Sequence, residues 1–512
     1  MAEADLPPLI QQMQQPEFYP HAVAGGVELI QTHISYILLA GDYAYKVKKP
    51  KDLGFLDFST LAKRQHYCHQ ELRLNQPTAP DIYLAVLPIA QAGEQFALDG
   101  SGEPVEYAVQ MRQFPQDSLL SEQFERGELT GEWMVALGET IARFHTEAAT
   151  SDYIASFGRP SQVRQAFDEN YAQTERYIDG PQTAQQYRET KAFTDRFFER
   201  DAALLEQRQA NGCIRECHGD LHLRNLCWWR DKIQLFDRIE FNEAFRFVDV
   251  ICDVAFAVMD VEARGRRDWA NRLLNTYLER TGDWEGAEVL PLYLSRQAYV
   301  RAKVASLLLD DPNVSAAERQ QAQARAAHYY RLAWQYTQTG RGRLILMSGR
   351  PGSGKSTVAS EIAQRLGAIH LRSDAVRKHL AGVPLEARGG PELYTGEMTG
   401  RTYNRLRALG LRLAERGFAV VLDATYARQG QRQPVVASAR ERQFPLHIYH
   451  CTAPLEVMRQ RLAQRQGDVS DATPELLEQQ SAPVEAFSET EQYYLQQVDT
   501  TDPAWRSQLA LE

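Results

Sequence analysis

Residues 216–229, ECHGDLHLRNLCWW, place Asp220 and Asn225 five positions apart, and the strand-like IQLFDRIEF that follows ends its apolar run on a further carboxylate, Asp237. Moving a phosphoryl group onto a hydroxyl takes a group that orients or deprotonates the hydroxyl, and two oxygen ligands that hold magnesium on the phosphates. Asp220 as base, with Asn225 and Asp237 as metal ligands, meets those needs in order and spacing.

Working outward, residues 27–49 read as two strands joined at Gly41-Asp42, a hairpin. Lys46 and Lys48 end its second strand, where an ammonium can reach a nucleotide's phosphates; alternation puts both on one face, so the pattern does not choose between them. Lys46 is preferred, because it follows the Ala-Tyr stretch and precedes the turn at Pro50. A helix follows over STLAKRQHYCHQELRLNQ with Ser59 as N-cap, and Glu71 within it is the natural partner for the lysine.

With these residues in place, 25–335 resembles the aminoglycoside phosphotransferase family of the protein-kinase-like fold. The resemblance rests on His218 and Asp220, on Asn225 and Asp237, on Asp253 in CDVAF, and on IARFH ending at His145. It implies Asp220 as catalytic base, Asn225 and Asp237 as magnesium ligands, and Met111 to Phe114 as the adenine-binding hinge. No GxGxxG covers the phosphates; QTHIS at 31–35 stands there, with the Thr32 and Ser35 hydroxyls as the expected phosphate caps.

A second set of signals begins at LILMSGRPGSGKSTVASEIAQRL. Strand, then Gly349-x-x-x-x-Gly354-Lys355-Ser356, then amphipathic helix is the context of a phosphate-binding P-loop. Backbone N–H groups along Gly349, Gly352, Ser353 and Gly354 surround the β-phosphate, Lys355 reaches the β- and γ-phosphates, and Ser356, with Thr357 beside it, supplies a hydroxyl to magnesium. Asp374, expected at the tip of the next short strand, is the candidate base, although that position also suits a helix N-cap. Asp423 ends the apolar strand FAVVLD and is the expected carboxylate on the metal. Arg461 and Arg465, at i and i+4, are expected on one helix face as lid arginines that close over the transferring phosphate.

This part, 341–512, resembles the P-loop kinases that include zeta toxins, gluconate kinase, chloramphenicol phosphotransferase and the kinase domain of polynucleotide kinases. The whole chain resembles bifunctional aminoglycoside phosphotransferase/ATP-binding fusions, the second half being of AAA type. The expected architecture is therefore an α+β protein-kinase-like two-lobed domain followed by an α/β P-loop NTPase domain with a parallel sheet. Residues 1–337 form the first domain, with a small lobe over about 25–115 and a helical lobe over about 116–337. QTGRGR at 338–343 is the linker, and 344–512 the second domain.

Composition narrows the partners. From Arg341 onward 22 basic residues face 19 acidic ones, whereas the first 340 carry 35 against 48. The mild, Arg-rich excess suits small phosphorylated ligands and does not favour extensive nucleic-acid binding. No apolar run reaches the roughly 18 to 20 residues that span a bilayer, and the N-terminal stretch lacks a basic n-region and a long h-region, so the expectation is a cytoplasmic protein without a membrane partner. Six cysteines without a CxxC pair are expected as reduced, mostly buried thiols. The expected function is an ATP- and Mg2+-dependent kinase whose two domains each phosphorylate a hydroxyl of a small molecule. Two alternatives stand beside it: one domain as a nucleotide-dependent regulator of the other, or the P-loop domain as a polynucleotide 5'-end kinase.

Overall fold

The computed structural model describes residues 6–312, 314–338, 340–465, 467–474 and 484–511; position 339 of the expected linker lies outside them. The chain forms two compact units. One comprises 1–130, 147–260 and 296–331, the other 131–146, 261–295 and 332–512.

In the first unit, β1 (Val27–Gln31), β2 (Ser35–Ala40), β3 (Tyr43–Lys48), β4 (Tyr83–Ala92), β5 (Gln95–Leu98) and β6 (Pro104–Arg112) make an antiparallel sheet ordered β1-β2-β3-β6-β4-β5. The expected two strands over 27–49 are three. The Thr32 hydroxyl accepts the backbone N–H groups of Ser35 (2.9 Å) and Ile34 (3.3 Å), and this local turn splits the first. The Gly41-Asp42 turn does join a hairpin, with Ala40 opposite Tyr43. Alternation decides what each face of β3 carries: Tyr45 and Val47 enter a core with Leu38, Ile89 and Ala108, so Lys46 and Lys48 emerge on the other face. There the helix Leu61–Asn75 packs Cys68 against Ile82, Tyr83 and Val109. Its cap is Thr60, not Ser59: the Thr60 side chain accepts the N–H of Lys63, while the Ser59 hydroxyl donates to Asp57.

The helices Pro160–Thr174, Ala184–Arg200 and Ala202–Ala210 fall within the expected helical lobe. The short strands β7 (Ile214–Glu216), β8 (Leu226–Trp229), β9 (Lys232–Leu235) and β10 (Phe247–Asp249) pair as β7 with β10 and β8 with β9. Asp220 and Asn225 thus fall between β7 and β8, and Asp237 follows β9.

The second unit holds a parallel sheet ordered β12-β13-β11-β14-β15, from β11 (Arg343–Ser348), β12 (Ile369–Arg372), β13 (Ala419–Asp423), β14 (Leu446–Thr452) and β15 (Leu495–Asp499). Ile345, Met347, Val421 and Tyr449 pack with Val358, Ala359 and Ile362 of the helix Lys355–Leu366, as strands covered by crossover helices require. Chain order reverses around β11, and a ligand crevice opens at the carboxyl ends of strands at such a switch point. Asp423 and the loop after Ser348 sit at those ends. Asp374 does not end a strand: β12 stops at Arg372, and Asp374 is the second residue of the helix Ser373–Ala381, whose N-cap position is Arg372.

All six cysteines are free thiols, five of them buried. Among the described residues no helix is long and apolar enough to cross a membrane.

Arg432 is wholly buried and ties the helix Gln429–Glu441 to the chain before β15. Its guanidinium donates to Glu491 Oε1 (2.7 Å) and to the carbonyls of Tyr426 (3.1 Å) and Ala486 (3.0 Å). Arg432→Ala leaves the buried Glu491 carboxylate unpaired, a defect of about 3–5 kcal/mol. The expected outcome is a clearly lowered unfolding transition of this unit in thermal denaturation; an unchanged transition would refute the assignment.

Candidate functional site

The first site is organised by Glu71, which is fully buried. Its Oε1 accepts Lys46 Nζ and its Oε2 accepts Lys48 Nζ, each at 2.7 Å. Burial alone would push this carboxyl up, but the two ammonium groups hold it low. Lys46 also donates to Asp237 Oδ1 at 2.7 Å, whereas Lys48 pairs with Glu240. Burial opposes the charge on Lys46, and Asp237 and Glu71 together outweigh it, so the ammonium is retained well above its usual range.

The two lysines therefore differ in a way alternation concealed. Lys46 touches Asp237, whose side chain is 45% exposed, while the Lys48 side chain is 0% exposed and sealed between two buried carboxylates. Lys48 has no route to a phosphate here, which corrects its expected nucleotide contact. Glu240 was missed by sequence reasoning; its one signal was a second acid three residues after Asp237 in DRIEF.

Asp237 sits at φ 61, in the left-handed region, at a cost of order 1–3 kcal/mol for a non-glycine residue. Its N–H donates to the Tyr83 hydroxyl at 3.2 Å. Asn225 Nδ2 donates to the backbone oxygen (2.9 Å) and to Oδ2 (3.1 Å) of Asp220. His222 Nε2 lies 3.3 Å from the same Oδ2. Burial would raise the Asp220 carboxyl, but His222, and then Arg301 and His218, hold it well below the usual carboxylate range. Asp253 braces the loop from behind: its two oxygens accept the N–H groups of His218 (3.0 Å) and Gly219 (2.8 Å).

Within the site's hydrogen-bond network Lys46 bridges Glu71 and Asp237, while Asn225 bonds to Asp220. Thr32 and Ser35 are not part of that network. The Thr32 hydroxyl is spent on its turn, and the Ser35 hydroxyl is buried at the start of β2 without a partner among the described residues, so neither is offered to a phosphate. Of the expected hinge, Met111 lies in β6 and Phe114 packs 5.3 Å from Phe236, ring centre to ring centre.

The second site surrounds residues 349–354, between β11 and the helix Lys355–Leu366. Its glycines answer to close approach: a Cβ on Gly352 would stand 2.6 Å from the carbonyl oxygen of Met458, and one on Gly354 (φ 84) would press on Thr500 at 3.0 Å. Lys355 makes no hydrogen bond or ion pair with any described residue, yet its charge, after the His370 contact, helps hold Asp423 below the usual range against burial. Asp423 Oδ2 lies 3.1 Å from His370 Nε2, while Oδ1 is buried with no partner. Ser353 Oγ is likewise buried and unpartnered; Ser356 is half-buried and Thr357 exposed.

Asp374 is half-buried, makes no ion pair or hydrogen bond among the described residues, and lies within electrostatic reach of Tyr394 and Tyr403. The arginines depart from expectation. The helix Leu455–Gln464 ends before Arg465, so the i, i+4 face is broken. Arg461 is no free lid residue: it donates to Thr500 Oγ1 (2.8 Å) and O (3.1 Å), and to the Gly352 carbonyl at 3.4 Å. Arg465 stands 3.8 Å from Asp468. Both line a cleft of about 320 Å³ with Gly352, Gly354, Thr357 and Thr500.

The profile described as "Phosphotransferase enzyme family" matches residues 65–290, and that described as "AAA domain" matches 344–487. The "Uncharacterized protein Rv2004c" of Mycobacterium tuberculosis is 30% identical over 456 residues, covering 88% of each chain, and a Mycobacterium bovis protein matches to the same extent. This chain belongs to their family. It joins a phosphotransferase-family domain of protein-kinase-like fold to a P-loop kinase-like domain with a parallel sheet, and it is an enzyme of the kinase class. Among solved structures, a choline/ethanolamine kinase family protein from Mesorhizobium loti is 11% identical, covering 65% of this chain and 99% of its own, with a TM-score of 0.38. A gluconokinase from Sinorhizobium meliloti is 22% identical, covering 33% of this chain and 95% of its own, with a TM-score of 0.25.

The contrast between the two lysines is testable. Lys46→Met is expected to cut phosphoryl transfer at this site by about 10²-fold or more with a small change in thermal stability, since Glu71 keeps Lys48. Lys48→Met strands the buried Glu240 and is expected to cost about 3–5 kcal/mol of stability. Steady-state rates with thermal melts check both; the reverse pattern would make Lys48 the phosphate lysine.

Proposed function

We propose that both sites are ATP- and magnesium-dependent kinase centres, each transferring the γ-phosphate to a hydroxyl of a small molecule. The observation that carries this reading is that each site sets a lysine within electrostatic reach of a carboxylate and leaves oxygen atoms open for a cation. At the first site Asp237 gives one oxygen to Lys46, and Asn225 uses only its Nδ2, leaving Oδ1 without a hydrogen bond among the described residues. At the second, Asp423 Oδ1 is an orphaned buried acceptor of the kind a metal satisfies. These residues fit magnesium: Asn225 and Asp237 would hold it at the first site, Ser356 and Asp423 at the second. Bound there, the ion would neutralise charge on the phosphate oxygens.

The chain's own residues supply the rest. Lys46, fixed by Glu71, would place its ammonium on the triphosphate, and Asp220, kept ionised by its neighbours, would orient the acceptor hydroxyl and take its proton. In the P-loop site the backbone from Gly349 to Gly354 and the N-terminus of the helix Lys355–Leu366 would cradle phosphate, Lys355 would neutralise the transferring group, and Asp374 would act as base. Arg461 and Arg465 would wall the cleft beside the cradle. The modest basic excess after Arg341 supports a small acceptor over a nucleic-acid end.

The test is phosphoryl transfer from labelled ATP to a bacterial metabolite extract, with products identified by mass spectrometry. Asp220→Ala and Lys355→Ala are each expected to abolish a different phosphorylated product. If neither change removes any product, the reading is wrong for both sites.

A further inference from the structure

The helix Arg267–Thr281 lies inside the stretch matched to the phosphotransferase family, yet it belongs to the compact unit of the P-loop sheet. Among the described residues β12 is an edge strand of that sheet, paired only with β13. An uncovered edge exposes unpaired backbone groups and frays readily. Here the edge is covered by side chains. Asn275 Nδ2 donates to the carbonyl oxygen of Ala368 (2.9 Å), and Asn275 Oδ1 accepts the N–H of His370 (2.7 Å). One carboxamide thereby makes the two hydrogen bonds that a residue of a parallel neighbouring strand would make.

The match extends along the helix. Asn271, one turn earlier, donates Nδ2 to the same Ala368 oxygen at 2.9 Å, and Glu279, one turn later, accepts Arg372 at 3.2 Å. Positions 271, 275 and 279 advance by about 6 Å per step along a helix, and alternate residues 368, 370 and 372 by about 6.6 Å along a strand. Asn271 and Asn275 thus bond the backbone edge and Glu279 reaches the Arg372 side chain, so a ladder of contacts on one helix face follows the strand.

That edge carries the site. His370, whose N–H Asn275 takes, is the residue whose Nε2 stands against Asp423. Arg372, held by Glu279, gives another nitrogen to Asp468 at 2.5 Å, in the segment after the helix that bears Arg461. We propose that Asn275 and Glu279 are positioning residues of the P-loop site, so that this site is completed by a helix from the segment matched to the phosphotransferase family. The proposal rests on the reading of the P-loop site as a magnesium–nucleotide centre. Asn275 sets the height of His370 and so the direction in which Asp423 points its open oxygen; Glu279 sets Arg372 and so the start of the segment at Asp468. The phosphate cradle itself is backbone of residues 349–354, which neither residue touches, so binding of ATP and its turnover separate.

The experiment is the Lys355-dependent part of ATP hydrolysis by the full-length protein, measured with magnesium, together with the thermal melt of each variant. Glu279→Gln, nearly isosteric, and Asn275→Leu are expected to lower kcat tenfold or more with KM for ATP within about threefold of wild type. Arg280→Ala, on the same helix but off the ladder, is expected to leave kcat unchanged. If Lys355→Ala lowers hydrolysis but Glu279→Gln and Asn275→Leu keep the wild-type kcat, the proposal is overturned while the nucleotide reading stands. A variant that loses melting temperature alone, at wild-type kcat, overturns it in the same way. If Lys355→Ala leaves hydrolysis untouched, the nucleotide reading falls, and the proposal with it.

Discussion

Glu71 lies fully buried between two ammonium groups, and the placement of Lys46 and Lys48, with the second acid each of them meets, follows from it. A desolvated carboxylate is tolerated only when its charge is met at close range. Lys46 and Lys48, brought to one face of β3 by strand alternation, meet it, and each then uses its remaining capacity on a second acid. One of those acids, Asp237, is partly open to solvent, and the other, Glu240, is sealed. The same pairing rule therefore yields one lysine beside a half-exposed acid and one sealed among buried acids.

The P-loop site meets the same electrostatic demand on a different fold. Its cation, Lys355, has no carboxylate in direct contact among the described residues, though its charge acts on Asp423. Its acid, Asp423, is buried like Glu71 but is steadied by an imidazole instead of a lysine, and one oxygen is left open. In the first site two ammonium groups are in direct contact with three carboxylates; in the second the lysine and the acid interact only at longer range.

Local chemistry made much of this legible in the sequence. The P-loop is a contiguous run whose glycines are each demanded by a nearby backbone or side chain, so Gly349 through Ser356 could be read without tertiary knowledge. The Asp220, Asn225 and Asp237 series was equally readable, because loop and strand ends hold these residues in chain order. What stayed hidden depends on partners distant in sequence. Period-two alternation cannot separate Lys46 from Lys48, since the acid that distinguishes them, Glu240, is 192 positions away from Lys48. In sequence the Thr32 and Ser35 hydroxyls read as phosphate caps, because nothing local shows that one closes a turn and the other is buried at a strand start. Arg461 and Arg465 fell off a common helix face because the helix stops one residue short. The edge-covering role of Asn275 leaves no pattern, as an asparagine in a helix carries no signature until the strand beside it is known.

Two separate nucleotide sites on one chain, as proposed, are tested by the stoichiometry of a non-hydrolysable ATP analogue bound to the full-length protein, measured by calorimetry with magnesium. Two equivalents per chain are expected, falling to one in Lys355→Ala and to one in Asp237→Ala through loss of the other site. A single equivalent in the wild-type protein, removed entirely by either change, would contradict the two-site reading.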